Sequence, residues 1–409
     1  MEYLTNIFVG CFSNPIFLVF LIAIVGYLLG SIRIKGVTLG HAGIFLAALL
    51  FGHFGLANDS LFHTIGLINA DQSAIESTMS LEQSLGLLFF VTSVGFISGP
   101  NFFVNLKKNA KSYVLFALVV VGISALTCCI IILCTNIDSS MSVGILSGAL
   151  TSTPGFAAAQ GVVEHDAALL NEVTVGHAIG YPFGVISKVL FVQLIPKILK
   201  VDMQEEIKKM GVIEADASKE KGLSKLKKLD ALGVAPFALA IVLGVIVGKI
   251  SFPLPGGASF SLGNTGGPLL VGLVLGHFGR CGNLSMKINA DLLKTLRELG
   301  LVLFLIGAGV PGGSGFVAMV NQYGFMLFVY ALLMTMIPLI LGYIFGRKVL
   351  KLCVLNCLGS LTGGMTSTPA LGALIETAGT DDVAAAYAAT YPVALVLIVL
   401  SSQFMVTFL

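Results

Sequence analysis

The sequence has very little charge and no tryptophan. Only 11% of its 409 residues are charged and 56% are hydrophobic, whereas soluble domains carry roughly 25% charged residues. This composition excludes a soluble globular domain, and the many apolar runs of about 20 residues fit the hydrocarbon core of a bilayer. We therefore interpret the chain as a polytopic membrane protein, whose interfacial aromatic belt must be made of Tyr and Phe.

Motifs of enzymes and of metal sites are also missing. The seven cysteines are odd in number, lack metal-ligand spacing and give no plausible disulfide framework. No His-Glu-x-x-His motif, paired-aspartate motif or nucleophile–base pair is evident, which argues against an intramembrane enzyme. We expect no metal, no cofactor and no nucleic-acid partner. The first 14 residues lack the basic region that begins a cleavable signal peptide.

Ten residues occur twice in nearly the same form. Leu146–Gly155 reads LSGALTSTPG, and Leu361–Ala370 reads LTGGMTSTPA. Both copies contain Thr-Ser-Thr-Pro and both lie in apolar stretches. Other short motifs recur in the same order, among them Gly-His-Phe-Gly at 52–55 and 276–279 and Tyr-Pro at 181–182 and 391–392. A series of this kind indicates duplication of the membrane part, with changes in loop length.

The apolar spans and the basic residues predict an inverted arrangement of the two copies. We divide the chain into a first membrane repeat over 1–196, a Lys-rich linker over 197–232 and a second membrane repeat over 233–409. Positively charged loops face the cytoplasm, and they alternate along the chain if the Thr-Ser-Thr-Pro segments do not cross. That leaves five crossings in each half, so the second half is inverted relative to the first. The linker is then cytoplasmic and both termini lie outside. The predicted spans are 15–32, 38–56, 84–99, 113–134, 172–195, 236–250, 263–279, 296–311, 324–345 and 384–408.

We interpret the two Thr-Ser-Thr-Pro segments as re-entrant or broken-helix hairpins that enter from opposite faces. An arm of about ten residues is roughly 15 Å long, half the hydrocarbon thickness, so the two tips can meet near the midplane. Thr is a good N-cap and Pro is favoured at the first helical position, so each Thr-Pro pair predicts the start of a second arm. Helix N-termini favour negative charge, and here they would offer the N–H groups of Gly155, Phe156, Ala370 and Leu371.

These tips form the predicted binding site for a small organic anion. The alternative is that Gly, Ser, Thr and Pro only kink and pack the helices. Three further candidates are polar residues within or at the start of apolar spans, where such residues often mark a substrate path: Arg297, His177 and Lys188. The predicted substrate-binding residues at the tips are Thr151, Ser152, Thr153, Pro154, Gly155, Gly363, Gly364, Thr366, Ser367, Thr368, Pro369 and Ala370.

The duplicated segments resemble the membrane halves of the aspartate–alanine exchanger family of bacterial secondary transporters, as do Leu296–Leu305 and Ser84–Gly95. The resemblance implies exchange of amino acids or dicarboxylates and both termini outside. The family is similar in plan to sodium–glutamate symporters and, more distantly, to cation–proton antiporters, which implies inverted repeats and an elevator-like motion. Many members carry soluble regulatory domains between the halves, but the linker here is too short for one.

We therefore expect an all-α polytopic membrane protein, built from two inverted repeats of five transmembrane helices with one hairpin each. It would act as an elevator-type transporter in the bacterial inner membrane, as a homodimer in contact with membrane lipids. The expected function is exchange of acidic amino acids or dicarboxylates. Two alternatives stay open: a sodium- or proton-coupled symporter or exporter of the same substrates, and an ion channel.

Overall fold

The computed structural model describes residues 9–34, 37–38, 40–56, 72–135, 137–163, 165–210, 226–253, 259–314, 321 and 324–409. Most of these residues are helical, which confirms the predicted class. Much of the predicted linker, 211–225, lies outside the described residues. The described strands form three short antiparallel ribbons, which pair β1 (Arg33–Ile34) with β2 (Val37–Thr38), β3 (Ser251–Pro253) with β4 (Ser259–Ser261), and β5 (Arg280–Cys281) with β6 (Leu284–Ser285).

The helices follow the predicted spans closely. In the first half they are α1 (Pro15–Gly30), α2 (His41–Phe51, continued by a π-helical turn over Gly52–Leu56), α3 (Gln72–Cys134), α4 (Ser139–Ala149), α5 (Thr153–Val162) and α6 (Ala167–Ile198). The linker contributes α7 (Met203–Met210). In the second half they are α8 (Val234–Lys249), α9 (Gly263–Phe278), α10 (Ala290–Ser314), α11 (Met326–Lys348), α12 (Val354–Gly364), α13 (Thr368–Ala378) and α14 (Val383–Phe408).

Five of the described helical segments are long and apolar enough to cross a membrane: Ser77–Ile97, Lys111–Cys134, Ala168–Ile198, Met326–Lys348 and Val383–Phe408. Four shorter apolar helices coincide with other predicted spans: Pro15–Gly30, Gly43–Leu56, Val234–Lys249 and Gly266–Phe278. The remaining span, 296–311, lies within α10. Each predicted span therefore contains a helix.

One predicted boundary is wrong. The spans at 84–99 and 113–134 were expected to be separate helices, but both belong to α3, which is helical from Gln72 to Cys134 and contains Pro100. A proline removes one backbone hydrogen bond and bends a helix, and it does not have to end it. The basic segment at 107–111 is helical too, because no other helix-breaking residue lies between it and Pro100.

The chain divides into two compact units, one made of residues 1–87 and 298–327 and the other of residues 88–297 and 328–409. Each unit takes residues from both predicted repeats, so the repeat boundaries stay a prediction. Both Thr-Ser-Thr-Pro segments belong to the second unit, together with α6 and α14, which pack against them.

Glycines let the helices approach closely, and the same contacts occur in both halves of the sequence. A Cβ atom at Gly30 in α1 would lie 2.4 Å from the carbonyl oxygen of Gly40, which precedes α2. A Cβ atom at Gly248 in α8 would lie 2.3 Å from the carbonyl oxygen of Gly263 in α9. Small residues are the usual means by which membrane helices pack without a hydrophobic driving force.

The hairpin helices show a second matched pair of contacts. A Cβ atom at Gly148 in α4 would lie 2.3 Å from the carbonyl oxygen of His177 in α6. A Cβ atom at Gly363 in α12 would lie 2.4 Å from the carbonyl oxygen of Tyr387 in α14. Each first arm therefore packs backbone to backbone on the long helix that follows its own hairpin.

We expect the replacement Gly248→Ala to lower the free energy of unfolding in detergent by about 1–3 kcal/mol, because the methyl group must displace backbone. Gly122→Ala in α3 is the matched control, since nothing lies within 4 Å of a Cβ atom there. That variant should be as stable as the parent or slightly more stable, because Ala favours helix. Equal melting temperatures of the two variants would contradict close packing at Gly248.

Candidate substrate-binding site

The first Thr-Ser-Thr-Pro segment forms the tight turn between α4 and α5. The Thr151 N–H donates to the Gly148 carbonyl at 2.8 Å, and the Ser152 N–H donates to the Ser147 carbonyl at 2.8 Å. These two bonds make a Schellman motif, the common end of a helix. Glycine usually occupies its left-handed position, but here the position holds Thr151, with φ of 55°.

The second segment joins α12 to α13 in the same way. The Thr366 N–H donates to the Gly363 carbonyl at 3.0 Å, and the Ser367 N–H donates to the Thr362 carbonyl at 2.8 Å. Thr366 has φ of 50°. A β-branched residue in this region costs on the order of 1–2 kcal/mol, and such strain clusters at functional sites.

The second arms begin one residue earlier than predicted. Ser152 and Ser367 occupy the N-cap positions, with extended backbone, and Thr153 and Thr368 already belong to α5 and α13. The Schellman turn is the reason. It leaves the residue after the left-handed threonine extended, which is the conformation that an N-cap needs.

The two tips touch each other and a lysine. Thr366 Oγ1 donates to the Leu150 carbonyl at 3.2 Å, and Thr151 Oγ1 donates to the same carbonyl at 2.6 Å. Lys188 Nζ, from α6, donates to Thr151 Oγ1 at 2.9 Å. A continuous chain of hydrogen bonds therefore joins α6, the first tip and the second tip. Lys188 is 0% exposed.

The first tip uses its own polar groups. Ser152 Oγ accepts from the Gly155 N–H at 3.2 Å, and the Ser152 carbonyl accepts from the Phe156 N–H at 3.0 Å. Ile398 of α14 covers this end of α5, because a Cβ atom at Gly155 would lie 2.5 Å from its Cγ2 atom. Two of the N–H groups that were expected to be free are thus already bonded.

In the second tip, the helix end is uncapped and one hydroxyl has no hydrogen-bond partner among the described residues. The Leu371 N–H, a third group that was expected to be free, donates to the Ser367 carbonyl at 3.1 Å. No side chain caps α13, however, and the Ser367 hydroxyl is buried with no hydrogen-bond partner among the described residues. Thr368, Pro369 and Ala370 are buried too, whereas Thr153 in the first tip is exposed and Pro154 is partly buried.

The other predicted site residues lie elsewhere in the same unit. His177 Nδ1 lies 2.8 Å from Ser147 Oγ, and its ring stacks on Phe156 behind the first tip. Arg297 forms an ion pair with Asp381, beyond the C-terminal end of α13. The structure therefore does not bring Arg297 to the tips.

The two other predicted glycines, Gly363 and Gly364, lie at contacts between helices. Gly363 packs on α14, and a Cβ atom at Gly364 would lie 3.5 Å from a Val120 methyl group of α3. Their positions agree with a packing role.

Two residues near the tips, and a third at the far end of the second hairpin, were missed by the sequence reasoning. Ile398 and Ser402 of α14 both face Gly155, and the Ser402 hydroxyl is buried without a partner among the described residues. Ile398 follows its Tyr-Pro motif at the same distance as Lys188 follows the first one, so the matched motifs could have located it. Glu206 of α7 is buried and accepts a hydrogen bond from the Val354 N–H at the start of α12; it sits in a charged linker, where no sequence signal marks it.

Comparison with known proteins decides the family. The family model Asp-Al_Ex, described as "Predicted Permease Membrane Region", matches residues 18–197 and 236–407. The chain belongs to this permease family. The resemblance to the aspartate–alanine exchanger family is therefore confirmed, and this member is a membrane protein of a transporter family.

Full-length relatives point the same way. Uncharacterized transporters of Bacteroides fragilis and Bacteroides thetaiotaomicron are both 26% identical to it, over 98% and 97% of this chain and 99% and 98% of their own. An uncharacterized transporter of Desulfotalea psychrophila is 24% identical over 96% of this chain and 97% of its own. The first alignment extends over 553 positions, so that relative has more than a hundred residues without a counterpart in this chain.

The strain at Thr366 can be separated from its hydrogen bond. Thr366→Ala and Thr366→Gly both lose the bond to Leu150, but only Gly relieves the positive φ, so the Gly variant should be about 1 kcal/mol more stable. Lys351 is the control, because it is exposed and has φ of 52°, and its Ala and Gly variants should differ by the same amount. Chemical unfolding in detergent measures both gaps. If the Ala and Gly variants differ in free energy of unfolding at Lys351 but not at Thr366, the tip is not strained.

Proposed function

We propose that this permease is a secondary transporter that exchanges small organic anions of the acidic amino acid or dicarboxylate class, with the substrate bound beside Lys188 where the two tips meet. The observation that carries the proposal is Lys188. Its amino group is fully buried at the point where the tips meet, and no carboxylate pairs with it in the described part of the chain. A charge on this group costs several kcal/mol when it has no partner, and an anionic substrate would supply that partner.

We further propose the inverted-repeat, elevator-type plan for this transporter. It is supported by the matched contacts of Gly30 with Gly40 and of Gly248 with Gly263, and by the two equal Schellman turns. Both tips belong to the same compact unit, which is the part that an elevator motion would carry across the membrane. We propose a homodimer in the bacterial inner membrane, with a cytoplasmic linker and both termini outside.

A proton-coupled symporter or exporter of the same substrates is the second candidate. One observation favours it. Glu82 lies in the candidate span Ser77–Ile97, and its Oε2 atom is buried without a hydrogen-bond partner among the described residues. Ionisable residues inside membrane spans commonly belong to proton paths. An ion channel has no comparable observation in its favour.

Counterflow in proteoliposomes tests the exchange reaction. Vesicles loaded with unlabelled aspartate or succinate should take up the labelled compound faster than empty vesicles, and the initial rate should saturate. Equal uptake into empty vesicles under an imposed proton gradient would support the symporter instead, with Glu82→Gln abolishing the gradient effect. Uptake that rises linearly with concentration would indicate a channel, and no uptake of any acidic amino acid or dicarboxylate would contradict the proposed substrate class.

A further inference from the structure

We propose that the two repeated tips are not equivalent, and that a single carboxylate of the substrate binds at the second tip, between Lys188 and the N-terminus of α13. The first tip is a closed structural turn. This inference rests on the proposed function. It deepens that function by naming the one chemical group that every substrate must carry.

The first tip caps its own helix, and the hydroxyl beside it that has no partner among the described residues, that of Ser402, belongs to α14 and not to the tip. The Ser152 hydroxyl and carbonyl accept from the Gly155 and Phe156 N–H groups, and Ile398 lies directly against Gly155. A capped helix end that is covered by a branched apolar side chain is satisfied without a ligand.

The second tip has the opposite character, although its sequence is almost the same. Ser367 occupies the N-cap position but caps nothing, and its hydroxyl is 0% exposed and without a partner among the described residues. α13 has eleven residues, enough to present the positive end of a helix dipole. Buried polar groups are almost always hydrogen-bonded in native proteins, so this hydroxyl points to a group that is supplied from outside.

Only one of the two positions matched by the Tyr-Pro motifs carries an ionisable side chain. Lys188 and Ile398 stand at the same distance, seven residues, after Tyr181 and Tyr391 in the two Tyr-Pro motifs. Where the second copy places an isoleucine against the first tip, the first copy therefore has a lysine. An ammonium group has three donors, and Thr151 takes one of them, so two are available to a carboxylate.

The lysine is also connected to the second tip. The bonds run from Lys188 to Thr151, from Thr151 to the Leu150 carbonyl, and from Thr366 to that same carbonyl. Thr366 directly precedes Ser367. The lysine and the uncapped helix end are therefore linked through one network of hydrogen bonds, and each of them favours a negatively charged group. Aspartate and a simple dicarboxylate would both bind through one carboxylate.

Two serine variants of the full-length protein separate the tips. We expect Ser367→Ala to weaken binding of aspartate or succinate roughly tenfold to a hundredfold, because it removes a hydrogen bond to a charged group. It should not lower the melting temperature of the ligand-free protein, since the hydroxyl caps nothing. Ser152→Ala should do the reverse: it removes a helix cap and lowers the melting temperature, and it leaves the affinity unchanged within about threefold. Titration calorimetry and thermal unfolding measure the two effects.

A lysine variant tests the charge. Lys188→Met should abolish binding of aspartate and succinate, and it should raise the melting temperature of the ligand-free protein, because a buried charge without a partner is removed. Succinamate, which keeps one carboxylate, should bind the parent protein, and succinamide, which keeps none, should not. Equal losses of affinity in the two serine variants, or unchanged binding in Lys188→Met, would overturn the inference. If neither aspartate nor succinate binds the parent protein, the proposed substrate class itself fails.

Discussion

A lysine amino group that is held inside an apolar helix bundle, without a carboxylate partner among the described residues, is the constraint on which the candidate site depends. Lys188 is fully buried, and its described hydrogen bond goes to the neutral hydroxyl of Thr151. The interior of a membrane protein offers little water to solvate such a charge. In the proposed function, the arrival of an anionic substrate supplies the partner that stabilises a charge on this group.

The backbone turns near Lys188 also bring polar groups together inside the helix bundle. Two helices end in turns that contain a left-handed threonine, and the next helices begin two residues after it. Polar groups therefore meet where continuous helices would leave none. The arrangement is tolerated because glycines in the first arms allow backbone contact with the long helices, as at Gly148 and Gly363. Close packing supports the strained turns on both sides, and the hydrogen bond from Thr366 to Leu150 joins them.

Much of the fold could be read from the sequence, and the decisive part of the site could not. Apolar runs located every span because burial in a bilayer requires them, and the duplicated Thr-Ser-Thr-Pro placed both helix breaks. Whether Pro100 ends a helix or only bends it depends on tertiary packing, so α3 was divided wrongly. The N-caps were displaced by one residue because a Schellman turn can place threonine where glycine is usual.

The difference between Ser152 and Ser367 has no signal in the sequence. Both serines lie in the same four-residue motif, Thr-Ser-Thr-Pro, and only their neighbours across the bundle decide which hydroxyl is used. Lys188 could be named as a candidate, but its contact with Thr151 depends on how α6 packs against the tips.

The most direct measurement is a cryo-electron microscopy structure of the full-length protein with bound aspartate. We expect a carboxylate about 2.7–2.9 Å from Lys188 Nζ, with the Ser367 hydroxyl donating to the same group at the start of α13. A substrate bound at the first tip, or one bound elsewhere while Lys188 contacts only Thr151, would contradict it.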